Sequence, residues 1–412
     1  VASGPIGERV PALVFDGETR AALAVVRSLG QKRVPVQVLA SSRRSLAGAS
    51  RFAAGEILLP DPGQAPAAFA EALPALARQA AGSVWIPVTD TSLAIVDQIR
   101  AELGTVRLPI PSSAALAVSW DKGELLDLAE RSGFAVPRTA CPADEGELHA
   151  LAAELSFPVV LKPRRSRVWT AGRIETGQVA YVHSRSELVA AWRAVHARIP
   201  RPLVQERVSG FGMGLFLLAA EGRIVASFAH RRRREKPPAG GVSVLSESIP
   251  VPVALRAPAE RLLFALDWTG VGMLEFKVGE TDGVPRLIEM NPRFWGSLAL
   301  PLLSGVDFPW LLYQLALGTT PETPPRYRSG VRSRWELGDL DHLLIRLRGR
   351  SERDLDPRAP SRAAALLQFL NPLAGHPEVL WLSDPGPFGC ELRRYLAAAA
   401  RGIRAHPPAE KP

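Results

Sequence analysis

A chain of 412 residues, 47% of them hydrophobic, has room for two or three domains with real cores and is not the composition of a disordered protein. Its longest apolar runs, such as Leu298 to Leu303, fall far short of the roughly 20 residues that span a bilayer, and the N-terminus lacks a charged-then-apolar leader pattern, so a soluble cytoplasmic protein with no membrane partner is expected. Fifty Lys and Arg against 41 Asp and Glu give a net charge of +9, with Arg concentrated at 164–173 and 231–234, which points to anionic ligands. Cys141 and Cys390 have neither the spacing of a zinc site nor that of a disulfide framework.

Residues 10–15 read as an apolar strand, followed by an Asp16-Gly17 turn, a helix over 21–29 and a strand over 34–39. A strand at 56–59, a helix near 65–80 and a strand at 84–88 continue the alternation, which predicts a parallel α/β unit. No GxGxxG follows the first strand, so no dinucleotide is indicated. Thr89, Asp90 and Thr91 stand at a strand end, where they would either touch a substrate or cap the helix over 93–103.

Pro109 and Pro111 mark a linker, and Asp121 suits the cap of a helix over 123–132. An extended stretch at 135–139 and a helix over 147–155 lead into the run 157–163, FPVVLKP. Burying an ammonium is costly, so Lys162 belongs at a strand end facing a site or an anion. Residues 164–178, with four Arg, Gly172 and Gly177, read as a flexible cationic loop covering phosphates.

A strand at 179–183, a helix over 186–198 and a strand at 203–207 come next. Gln205 and Glu206 stand at its end, with a glycine-rich hinge at Gly210, Gly212 and Gly214. A hairpin of strands 215–220 and 223–229 delivers His230, the run 231–236 (RRRREK) and a loop over 237–241. Alternate side chains of a strand face opposite ways and no aromatic ladder accompanies the arginines, so capture of a small carboxylate or phosphate suits them better than nucleic acid. His230 is read as structural.

The stretch 271–296 carries the most chemistry. Residues 273–278 and 284–290 alternate apolar and polar positions around Thr281-Asp282-Gly283, which predicts an antiparallel hairpin. With a three-residue loop and Gly283 left-handed, Glu280 faces Val284 and Glu275 lies opposite Glu289. Carboxylates at such a pair have Cβ atoms roughly 4.5–5.5 Å apart and repel unless a cation lies between them. Asn291 shares the face, and this oxygen donor set favours a hard ion, Mg²⁺ or Mn²⁺, completed by nucleotide phosphates; the hairpin alone is equally open to ordinary surface ion pairs of Glu275 and Glu289 with Lys277 and Arg293. Beyond a helix around 309–317, residues 320–362 are rich in Pro, Arg and Asp and read as a looser appendage with helical pieces at 363–370 and 390–400.

Asp121-Lys122, the Val160-Leu161-Lys162-Pro163 strand end, Gln205-Glu206, Leu274-Glu275-Phe276 and Ile288-Glu289-Met290-Asn291-Pro292-Arg293, in this order, resemble the ATP-grasp superfamily over about residues 10–320. The resemblance implies a Rossmann-like pre-ATP-grasp domain over 1–111, a two-lobed ATP-grasp domain over 112–320 with a small nucleotide lobe at about 135–208, and a small C-terminal appendage over 321–412. It further implies that Lys122 and Lys162 contact ATP phosphates, that Gln205, Glu206 and Val208 line the adenine pocket, and that Glu275, Glu289 and Asn291 hold Mg²⁺. Arg293, with Lys162, would be catalytic, stabilising the reacting phosphate.

The run 230–241 with Ser243 looks like the carboxylate-amine ligase branch, which implies substrate contacts at Arg232, Arg234, Gly240 and Gly241. An acidic residue that often holds the ribose is missing, because 211–214 reads FGMG. The expected activity joins a small-molecule carboxylate to an amine through an acyl phosphate, and a homodimer is compatible with it. A carboxylase or kinase-like activity and a non-catalytic basic nucleic-acid-binding module are the alternatives.

Overall fold

The computed structural model describes residues 9–165, 167–170, 173–177, 179–238, 240–319, 321, 326–348, 360–371 and 373–401. The N-terminal part comprises β1 (Ala12–Val14), α1 (Arg20–Gln31), β2 (Val36–Ala40), β3 (Gly55–Leu58), α2 (Pro66–Gln79), β4 (Val84–Ile86) and α3 (Asp90–Gln98). Its strands form a parallel sheet in the order β3-β2-β1-β4. Ala12 and Val14 pack with α1, whereas Leu13 and Phe15 pack with α2 and α3, so the strand is apolar at every position because both its faces are covered. The sheet's parallel direction brings the residues after β1, β2 and β4 to one edge.

Two helices follow, α4 (Ser113–Trp120) and α5 (Lys122–Arg131). Asp121 stands between them and accepts from the Gly123 and Glu124 N–H groups, the cap expected of it. The α4 helix lies where only a linker was expected. Its sequence, SAALAVSW, is apolar nearly all round and shows no amphipathic period.

A second sheet is built from β5 (Thr139–Ala140), β6 (Val159–Lys162), β9 (Ala180–Val182) and β10 (Leu203–Glu206), in the order β5-β10-β6-β9. Interleaved with them are α6 (Glu145–Glu154), a hairpin of β7 (Arg167–Thr170) with β8 (Arg173–Thr176), and α7 (Arg185–His196). Val159, Leu161 and Val204 pack on α6 and α7, which leaves Lys162 and Gln205 on the opposite face. The stretch expected as a loop over 164–178 therefore contains a strand pair, favoured by the alternation in RVWT and RIET. Residues 166, 171, 172 and 178 lie outside the described residues.

The central sheet has seven strands in the order β15-β14-β11-β12-β13-β16-β17. It contains β11 (Gly210–Ala220), β12 (Arg223–Lys236), β13 (Val242–Ile249), β14 (Gly270–Gly279), β15 (Pro285–Asn291), β16 (Arg332–Arg334) and β17 (His376–Pro377), with α8 (Val253–Ala265), α9 (Ala299–Ser304), α10 (Phe308–Ala316), α11 (Glu336–Arg348), α12 (Arg362–Leu370) and α13 (Gly386–Ala400). Met213, Leu215, Leu274 and Phe276 face one core with α4, α5 and α8; Phe216, Phe228 and Met273 face another with α1, Trp295 and α10. The glycines expected as a hinge are the first part of β11.

Much of the region expected as a loose appendage is fastened to the rest. β16 pairs with β13, and Arg27, 1% exposed, donates to the Asp384 carboxylate at 2.9 Å and to the carbonyls of Glu378 and Val379. Among the described residues several of its charges are paired, Asp339 with Arg234 and Arg334 and Arg332 with Glu247, which composition cannot reveal. Among the described residues, no helix is long and apolar enough to cross a membrane.

Candidate active site

Glu275 stands opposite Glu289 across β14 and β15, and Met273 opposite Asn291. The turn differs from the expected one: Gly279, not Glu280, faces Val284, which makes a four-residue loop with Gly283 at φ +66°. That register alone would set Glu275 opposite Ile288. A β-bulge between Glu275 and Phe276, with Ile288 as the extra residue, restores the carboxylate pair.

Around this pair the groups of several elements converge. Glu275 is 6% exposed; its Oε1 accepts from Arg232 Nη1 at 2.8 Å, and its Oε2 is buried with no hydrogen-bond partner among the described residues. Glu289 lies 3.9 Å from Lys122 Nζ and accepts from the Asn291 amide at 3.4 Å. Burial raises the Glu289 carboxyl, Lys122 opposes the rise and Glu275 adds to it. Burial lowers the Lys162 ammonium to about 8, with Lys122 adding to the fall and Glu289 and Glu275 resisting it. Two facing carboxylates, a buried orphan oxygen and an amide form an oxygen donor set that fits a hard divalent cation. Among the described residues no three His, Cys, Asp or Glu side chains cluster as metal ligands, so the remaining ligands of such an ion would have to come from a nucleotide and water.

Lys162 Nζ donates to Gln205 Oε1 at 2.8 Å, and Gln205 Nε2 donates to Thr139 Oγ1 at 2.8 Å. The Gln205 side chain, expected at an adenine pocket, is thus engaged in orienting Lys162. Glu206 is exposed and Val208 half-buried just beyond it. Lys122 is held near the same strand end, since its N–H donates to the Arg164 carbonyl and Arg164 Nε reaches Asp121 at 2.7 Å.

Arg232 and Arg234, expected together at a substrate, part company. Arg232 reaches Glu275, Glu235 and the Gly241 carbonyl; burial opposes its charge, but Glu275 and Glu235 outweigh that and hold it protonated. Arg234 instead meets Asp339 on α11, because register shifts on either side of it re-aim the strand. Arg232 can lie across β11 only because Gly212 has no side chain: a Cβ there would stand 2.8 Å from its Cδ. Gly241 enters the site through its carbonyl, and Gly240, at φ +134°, turns the loop.

Arg293 is fully engaged. Its Nε donates to Asp90 Oδ2 at 2.7 Å, Nη1 to the Phe294 carbonyl at 2.9 Å and Nη2 to Asn291 Oδ1 at 3.3 Å. Thr89, not Asp90, caps α3. Beside Arg293 opens a cavity of about 550 Å³, bounded by Thr19 and Thr89 at the edge of the parallel sheet, by Arg232 and Trp295 on the central part, and by Trp335 and Glu391 from the C-terminal region. His230 lines it too. Burial and then Arg232 push this imidazole well below 6.5, so it is neutral at physiological pH. Asp90 as an arginine partner, Glu235, Gly212 and α13 were not assigned from sequence. Asp90 gave a signal in its place at a strand end, Gly212 in the glycine-rich stretch read as a hinge, and α13 in the helical pattern over 390–400, but none of these was tied to the site.

The family model for ATP-grasp in the biosynthetic pathway with Ter operon matches residues 198–338, the stretch that contains the carboxylate pair and Arg293. Over that stretch the chain matches an ATP-grasp family. The chain is 33% identical over 96 residues to the D-alanine–D-alanine ligase of Stutzerimonas stutzeri (strain A1501), a match over 23% of this chain that spans only 28% of that relative. Solved structures share its fold, two of them as follows. One is the biotin carboxylase of Campylobacter jejuni as its β-γ-ATP complex (TM-score 0.63, 16% identity, 79% of this chain and 75% of that one). The other is the L-amino acid ligase of Bacillus licheniformis (TM-score 0.54, 18% identity, 78% and 76%). The relatives stand on both sides of the division between ligases and carboxylases.

Proposed function

We propose that this ATP-grasp protein is an ATP-dependent ligase that activates a substrate carboxylate as an acyl phosphate and joins it to an amine, releasing ADP and phosphate. The observation that supports this most is the place of Arg293. It touches Asn291 of the carboxylate cluster through one nitrogen and lines the cavity, so it stands where a nucleotide and a second molecule would meet.

In this reading Lys122 and Lys162 bind the ATP phosphates, with Lys162 aimed by Gln205, and the chain around Glu206 and Val208 borders the adenine. Glu275, Glu289 and Asn291 hold Mg²⁺, which would neutralise charge on the phosphates. The acid lies in the cavity with its carboxylate toward Arg293; a carboxylate oxygen bonds to the γ-phosphorus while the bond to the ADP oxygen breaks. The amine nitrogen then forms the C–N bond, phosphate leaves, and the amine's surplus proton passes to solvent or phosphate. Positioning and charge neutralisation are what phosphoryl transfer requires, and no covalent protein nucleophile is involved. Arg293 also suits the oxyanion built as the acyl phosphate collapses.

The likeness to biotin carboxylase keeps a carboxylase as the second reading. The arginine run 231–234 does not support nucleic-acid binding, since Arg232, Arg233 and Arg234 meet acidic side chains and Arg231 lies 3.8 Å over the Phe211 ring. The test is ADP release by the purified protein with Mg²⁺-ATP across a panel of carboxylates, each with and without a panel of amines, read for amide by mass spectrometry. A signal that needs both partners supports the ligase; acid-dependent ADP release indifferent to every amine contradicts it.

A further inference from the structure

Arg293 is directed by a residue from outside the central sheet. Asp90 is the first residue of α3, directly after the β4 segment whose Val88 and Thr89 line the cavity. Its Oδ2 accepts from Arg293 Nε at 2.7 Å, with the two side chains 17% and 8% exposed, and its Oδ1 accepts from Trp120 Nε1 at 3.3 Å. A circuit results: Trp120 to Asp90, Asp90 to Arg293, Arg293 to Asn291, Asn291 to Glu289, and Glu289 to Lys122, which stands two residues from Trp120. It starts and ends at the corner between α4 and α5, and its one member from the parallel-sheet region is Asp90.

We propose that Asp90 is the positioning residue for Arg293, fixing the guanidinium between the phosphate-binding cluster and the cavity; this rests on the reading that Arg293 acts on the reacting phosphate. The geometry gives the reason. A guanidinium is a planar fork, so a carboxylate on its Nε edge together with the Phe294 carbonyl on Nη1 fixes the plane in which Nη2 reaches Asn291. Without the carboxylate the fork can turn into the cavity, toward any acidic group bound there. Asp90 therefore keeps Arg293 directed at the phosphates and does so from the wall against which the second substrate lies. Thr89 and Thr91 on either side line the cavity while Asp90 turns to the arginine, so one short segment serves both substrates.

The test compares full-length wild type, Asp90→Asn, Asp90→Glu and Arg293→Ala. Arginine-selective labelling with phenylglyoxal, mapped by mass spectrometry on the protein alone, should modify Arg293 about tenfold faster in Asp90→Asn, as expected for loss of a buried charge partner. Asp90→Glu should be protected, and Arg27, buried in a separate ion pair, should stay unlabelled in all, which distinguishes local release from unfolding. With the acid and amine that give turnover, Asp90→Asn should lower kcat on the order of 10²-fold while leaving the KM for ATP within a few-fold, with partial recovery in Asp90→Glu. Unchanged Arg293 labelling in Asp90→Asn overturns the proposal whatever the turnover. Full turnover in Arg293→Ala instead overturns the assignment of Arg293, a different failure.

Discussion

Burial lowers the Lys162 ammonium from its ordinary 10.5 to about 8, with Lys122 adding to the fall and Glu289 and Glu275 resisting it, and this gives nucleotide binding a pH signature. The charged form binds phosphate, so affinity for Mg²⁺-ADP should fall as pH rises through about 8, and Lys162→Met should show weak binding with no such inflection; calorimetry between pH 7 and 9.5 reads both. Stability runs the other way. The unfolded chain binds more protons than the folded one between about 8 and 10.5, so this group costs stability below that window and the cost is removed across it. Glu275 behaves as half of a buried pair. Glu275→Ala leaves Arg232 with Glu235 as its acidic partner and should cost about 3 kcal/mol in chemical denaturation, while abolishing the protection that Mg²⁺-nucleotide gives the wild type. Residue types and spacing made Lys162, Glu275 and Glu289 legible in the sequence. Their partners were not: Arg232 is forty-three positions from Glu275 and Asp90 two hundred and three from Arg293, and only tertiary structure brings them together.

At the scale of the element, the β14–β15 hairpin shows how a correct pair can follow from an incorrect turn. Alternation and the Thr281-Asp282-Gly283 signal were enough for the two strands and a left-handed Gly283. The loop is one residue longer than expected, and the bulge at Ile288 offsets it, a feature with no sequence mark of its own. Glycines on β11 were visible but misread, because a strand that must let neighbours cross it and a hinge use the same residue. At Gly214 a Cβ would stand 2.6 Å from the Phe216 ring and 3.0 Å from His230 Nε2, and Phe216 is buried against Trp295, so neither can yield cheaply. Gly214→Ala should lower stability by about 1–3 kcal/mol and weaken Mg²⁺-nucleotide binding, both measurable by thermal unfolding with and without ligand.

Over the whole molecule, the strands of the parallel sheet, those of the small antiparallel sheet and the two hairpins of the central sheet follow from periodicity, whereas β13, β16, β17 and the role of the C-terminal region do not. Its charge-rich composition suggests solvation, yet Arg27 and Arg20 from α1 grip it through Asp384 and Glu378, and Trp335 and Glu391 complete the cavity wall. Arg27→Ala leaves Asp384 buried and should cost about 3–5 kcal/mol, expose the chain after residue 370 to limited proteolysis, and raise the KM of the cavity's substrate more than that of ATP. That pattern would separate the cavity from the nucleotide site. The central claim, that a substrate carboxylate is activated by phosphoryl transfer before an amine captures it, is tested most directly with acid labelled with ¹⁸O in its carboxylate. In the presence of amine and Mg²⁺-ATP, inorganic phosphate carrying one ¹⁸O for each amide formed is the expected result; unlabelled phosphate, released while amide accumulates, would contradict it.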